Sequence, residues 1–141
     1  MVNMKLVFRT LYIFMLCSSA LVAQAEDDEE VVAPKAQYVE LSPAFVANFG
    51  GTSAKLKYIK ADISLRVPSE DAAALIEANK ALVRHQIVMH LSAQTEEQMS
   101  EVNSQENIRQ AALKKVQDAM SEETGASQVD DLLFTSFVVQ R

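Results

Sequence analysis

From Tyr38 onward the chain alternates between apolar and polar positions. Val39, Leu41, Phe45, Ala47 and Phe49 share one parity, and Glu40, Ser42 and Asn48 the other, which is the period-two signature of a strand with one buried face. Pro43 has no amide proton to give to a ladder, so this strand either runs at an edge or is interrupted there. Gly50-Gly51-Thr52-Ser53 reads as a turn. A clearer alternation follows, with Ile59, Ala61, Ile63, Leu65 and Val67 set against Lys60, Asp62, Ser64 and Arg66. Leu56 and Tyr58 fall on the opposite parity, and a bulge near Tyr58 would reconcile the two halves. The two runs, a short turn apart, make an antiparallel pair.

The period then changes. Pro68-Ser69 closes the strand and opens a helix, with Ser69 as its cap and Glu70 and Asp71 at the positive end of its dipole. Leu75, Ile76, Leu82, Val83, Ile87 and Leu91 form the apolar stripe of one long helix, with Glu77, Lys80 and Arg84 on its polar side. Thr95 with Gln98 has the spacing of a capping box on a short helical turn, and Asn103 with Glu106 that of another opening a third helix. In that helix Ile108, Ala112, Val116 and Met120 recur every fourth residue, and Gly125 suits a left-handed cap at its end. The final run, residues 132–139, is apolar on both parities, the pattern of a strand buried on both faces. Strand, strand, helices, strand is the order of an α+β domain, with a small antiparallel sheet and helices inserted between the second and last strands.

The first 25 residues differ in kind. Lys5 and Arg9 precede an apolar run over residues 11–22, then Ala23-Gln24-Ala25, then four consecutive acids and a fifth from Glu26. That order is the layout of a secretory signal, with small residues at Ala23 and Ala25 and cleavage before Glu26. The alternative is an uncleaved anchor in the inner membrane, but spanning takes roughly 20 apolar residues and this run is shorter. Residues 26–37 show no period and read as an acidic, flexible tether. The expected organisation is thus residues 1–25 signal, 26–37 tether and 38–141 one domain.

Charge and composition narrow the function. The 141 residues carry a formal charge of -6, and the basic residues are scattered singly, which excludes a phosphate-binding nucleic-acid surface. The single cysteine, Cys17, lies in the signal, so an exported product has no disulfide and relies on its core. His85 and His90 are five apart, whereas a metal pair on one helix face needs a spacing of four. They read as a surface and a partly buried histidine. Three glycines build neither a nucleophile elbow nor a phosphate-cradling loop, and carboxylate pairs such as Glu96-Glu97 and Glu122-Glu123 sit at helix ends as solvated charge. No enzyme, cofactor, metal or small-molecule substrate is expected. Phe45, Phe49, Phe134 and Phe137 read as core residues, with a face shared between subunits as the minor alternative. The best candidate partner surface is the polar helix side carrying Glu77, Lys80 and Arg84.

Four stretches together resemble the FliL family of flagellar basal-body proteins. They are Tyr38-Val39-Glu40-Leu41 with Phe45-Val46-Ala47-Asn48-Phe49; Tyr58-Ile59-Lys60-Ala61-Asp62-Ile63-Ser64-Leu65; the segment from Arg84-His85 through Leu91-Ser92 to Gln94-Thr95-Glu96-Glu97-Gln98-Met99; and Leu133-Phe134-Thr135-Ser136-Phe137-Val138-Val139-Gln140. The resemblance implies a periplasmic domain similar to the stomatin (band 7) fold, located at the flagellar base beside the stator units and without catalytic residues. It also implies flagellar stator and basal-body proteins as partners, with a homo-oligomeric ring or an anchored relative as further ones. The signal-like N-terminus departs from the family's membrane helix, so a soluble periplasmic scaffold unrelated to motility stands as the alternative.

Overall fold

The computed structural model describes residues 35–51 and 55–141. The expected signal with Ala23, Ala25 and Glu26, and most of the expected tether, lie outside the described residues. Eight elements follow in order. β1 is Gln37–Glu40, β2 Phe45–Asn48 and β3 Tyr58–Val67; α1 is Glu70–Ala78, α2 Lys80–Ser92 and α3 Ser104–Thr124; a 3-10 turn at Gln98–Ser100 precedes α3, and β4 is Asp131–Gln140.

β3 organises the sheet, because every other strand pairs with it. β1 and β2 are two pieces of one antiparallel line along its first edge, Gln37 to Glu40 opposite Val67 to Ser64 and Phe45 to Asn48 opposite Ala61 to Tyr58. The line breaks around Pro43, whose ring nitrogen cannot donate, and the Ser42–Pro43 bond is cis. The expected parity survives the break: Val39, Leu41, Phe45, Ala47 and Phe49 are all buried. β4 runs antiparallel along the second edge of β3. No bulge is needed at Tyr58, where β3 simply begins, and Leu56 before it is exposed.

The last strand departs from expectation. It lies at the edge of the sheet, with β3 as the inner strand, and is only partly buried. Its two-sided apolar pattern has another cause. Asp62 and Ile63 face Ser136 and Phe134, so Thr135 is an extra residue on β4 and resets its parity. Phe134 and Phe137, three apart, therefore share the core side, with ring centroids 4.7 Å apart.

The helices cover one side of the sheet, α1 against β1, α2 against β2 and α3 against β4. Ser69 caps α1 by accepting the Ala72 amide at 3.2 Å. The long helix expected after it is instead two. Asn79 (φ -108, ψ 19) breaks it, and its side-chain amide donates to the Leu75 carbonyl at 3.0 Å. Leu75 is turned outward by the break, while Ile76, Val83, Ile87 and Leu91 enter the core with Ile108, Ala112, Val116 and Met120 of α3. Thr95 and Gln98 form a reciprocal capping box, at 2.9 and 3.2 Å. The expected box at Asn103 does not form, since Asn103 is left-handed (φ 66) and makes no side-chain cap bond. Among the described residues no helix covers the opposite side of the sheet; Tyr38 and Val46 are each 61% exposed there and Val138 is 52% exposed.

Candidate functional site

Glu77 and Lys80 straddle the break between α1 and α2. The Lys80 ammonium meets both Glu77 oxygens, at 3.0 and 3.1 Å, at the surface. Arg84, one turn along α2, does not join them. Its guanidinium lies over the Phe45 ring at 4.1 Å from the centroid and donates to the carbonyls of Leu41 and, at 2.8 Å, Pro43. Arg84 thus pins α2 to the break between β1 and β2, satisfying backbone oxygens that the interrupted ladder leaves unpaired. His85 on the same helix is exposed.

A second polar cluster lies at the start of α3, where sequence reasoning placed only a cap. Glu106 receives the Arg109 guanidinium at 2.6 and 2.7 Å and the Gln110 amide at 2.8 Å. Arg109 also reaches across to the Asp131 carboxylate and the Leu132 carbonyl of β4, the latter at 2.9 Å. The Arg109 hydrogen bonds, aided by Gln110, hold the Glu106 carboxyl down at about 2, while Glu106, joined by Asp131, pushes the Arg109 guanidinium further up. A shallow cleft of about 430 Å³ opens beside them, lined by Asn103, Gln105, Leu133 and Phe134. The sequence signal for this cluster was the i,i+3 spacing of Glu106 and Arg109. The reach to Asp131 across 22 residues had none.

His90 is buried between α2 and α3, with Nε2 3.1 Å from the Ile108 carbonyl. Burial lowers its pKa, opposed by that carbonyl and assisted by the charge of Lys115. Gln94 donates to the His90 carbonyl at 2.8 Å, and its own carbonyl accepts the Gly50 amide at 3.0 Å, so one relay links α3 to the β2–β3 turn.

The polar groups are committed to holding elements together, and what stays open is surface: the α1–α2 junction and the bare side of the sheet. Comparison with known families matches residues 38–140 to the model of the flagellar basal body-associated protein FliL. The chain belongs to the FliL family. The match runs from the second residue of β1 to the last of β4, so the family assignment covers the whole described fold. FliL proteins are flagellar accessory proteins, not known as enzymes, and membership associates this chain with the flagellar basal body. Comparison with curated proteins gives no match. Among the described residues no three His, Cys, Asp or Glu side chains form a group that could hold a metal, and no helix is long and apolar enough to cross a membrane.

Proposed function

We propose that this FliL-family chain is a non-enzymatic component of the flagellar basal body that supports motility by docking its stomatin-like domain on the stator units from the periplasm. The observation that carries the reading is the family match across the entire α+β fold. The signal-like layout ending at Ala23-Gln24-Ala25 supports export, with the mature chain starting at Glu26. The docking surface is the α1–α2 junction. Glu77 and Lys80 meet the partner there, and Arg84 fixes the junction from beneath. Partners are stator and basal-body proteins, together with other FliL copies or an anchored relative.

Co-purification from cells with tagged stator subunits tests this. Recovery of the chain with the stator from motile cells, and its loss from the basal-body fraction of stator-less cells, is the expected result. Equal recovery with and without the stator would overturn stator docking while leaving the basal-body association intact. Absence from both fractions would leave a periplasmic scaffold with no part in motility. Intact-mass measurement of the native protein reads the export step, with a species beginning at Glu26 expected.

A further inference from the structure

The two halves of the outer edge of β4 are treated differently. On β3 the Ile63 carbonyl accepts Leu41, on the β1 side, while the Arg66 carbonyl accepts Asp130, on the β4 side. Peptide groups alternate in direction along an antiparallel strand. On β4 the residues opposite Leu65, Ile63, Ala61 and Ile59 therefore turn their N–H and C=O outward: Leu132, Phe134, Phe137 and Val139. At Leu132 both groups are taken, the amide by the Asp131 carboxylate at 2.8 Å and the carbonyl by Arg109. Among the described residues no hydrogen bond reaches the outward groups of Phe137 and Val139. The edge is closed at Leu132 and open beyond the Thr135 bulge.

Natural edges are blunted by shortness, proline or charge. β1 and β2 have four residues each with Pro43 between them, so that edge is short and broken. β4 is ten residues long, and from Leu132 to Gln140 it carries no charge and no proline. Between Lys60 and the open edge stands Val138, apolar, β-branched and 52% exposed on the bare side of the sheet.

We propose that residues 136–140 of β4 pair antiparallel with the same residues of a second copy, about a two-fold axis at Val138, joining two sheets into one. With the axis there, Phe137 meets the partner copy's Val139 as a hydrogen-bonded pair, using the outward groups that are open. The two Val138 side chains meet as a close, non-hydrogen-bonded pair and cover each other. Charge favours this occupant. A chain with net charge -6 repels its copy over most of its surface, and this uncharged strip is where two copies approach without like charges opposed. The two Lys60 ammoniums would stand three strand spacings apart, roughly 14 Å, beyond a screening length of about 8 Å. The pairing is independent of stator docking, since the α1–α2 junction lies away from this edge.

The full chain with Cys17→Ser is the background for the test, so that any thiol is an introduced one. Val138→Cys places two thiols opposite each other at about 4.5 Å between Cα atoms, within disulfide reach, and should give a covalent dimer under mild oxidation. Val46→Cys, on the same bare side but across β3, should stay monomeric. Sedimentation of the parent should show a species of twice the monomer mass, and Val138→Lys should raise the dissociation constant at least about tenfold, with an unchanged melting curve at dilutions where both proteins are monomeric. A parent that stays monomeric at all concentrations, equal cross-linking through Val46→Cys, or Val138→Lys dimerising like the parent overturns the proposal. A monomeric parent whose Val138→Cys form cross-links in cells to another protein assigns the edge to a foreign strand instead.

Discussion

Arg84 and Lys80 are both cations on α2, yet their environments give them different tasks. Removing Arg84 strips charge-assisted bonds from two carbonyls and a cation from the Phe45 face, so Arg84→Ala should cost about 2–3 kcal/mol in urea unfolding. Reversing the surface pair, Glu77→Lys with Lys80→Glu, should change stability by no more than about 0.5 kcal/mol. Motility in viscous medium should nevertheless fall if the α1–α2 junction docks; swimming like the parent, with folding confirmed, would remove it. Acid should act through two residues in separate windows. The fold keeps His90 neutral below its ordinary 6.5, so the unfolded chain takes up that proton first. Stability is withdrawn as pH drops below 6.5. Glu106 is held at about 2 from an ordinary 4.5, and its contribution is complete above 4.5 and lost as pH falls toward 2. Urea midpoints across pH should show His90→Asn flattening the upper limb and Glu106→Gln the lower.

Among the elements, those with local signals were legible and those set by distant partners were not. The Ser69 cap, the Thr95–Gln98 box, the α3 stripe and the left-handed Gly125 each depend on neighbours within four residues, and all formed. The box at Asn103 failed because Glu106 found a stronger partner in Arg109, itself drawn to Asp131 from another element. Neither the break at Asn79 nor the sidedness of β4 could be read from periodicity. A helix broken by one residue keeps most of its stripe, and a bulge makes a one-sided strand look two-sided. The two left-handed caps of α3 give opposite expectations. Gly125 (φ 82) has open space around it, so Gly125→Ala should cost about 1 kcal/mol, all of it backbone strain. Asn103 (φ 66) already bears that strain, and Asn103→Gly should leave thermal unfolding unchanged or raise it slightly.

At the scale of the molecule, the sequence conveyed the α+β order and most of the core but ranked the strands wrongly. β2 and β4 both flank β3 but are not buried alike. Phe45→Ala on β2, at a side chain 1% exposed, should remove about 3–5 kcal/mol. Phe137→Ala, expected to match it had β4 been internal, should remove roughly half as much, because part of its ring is already wet. Comparative denaturation of the two variants would read this difference between the flanking strands. The placement of β3 also has a consequence in time. Its first edge is filled by segments just upstream in the chain, across a short turn; its second waits for β4, beyond all three helices. Closing that longer loop costs about 2 kcal/mol more in chain entropy, three doublings of loop length. A newly made chain can therefore hold a finished hairpin while the most buried strand it owns is still bare along one side. Whatever escorts this protein before it folds has that interval to guard.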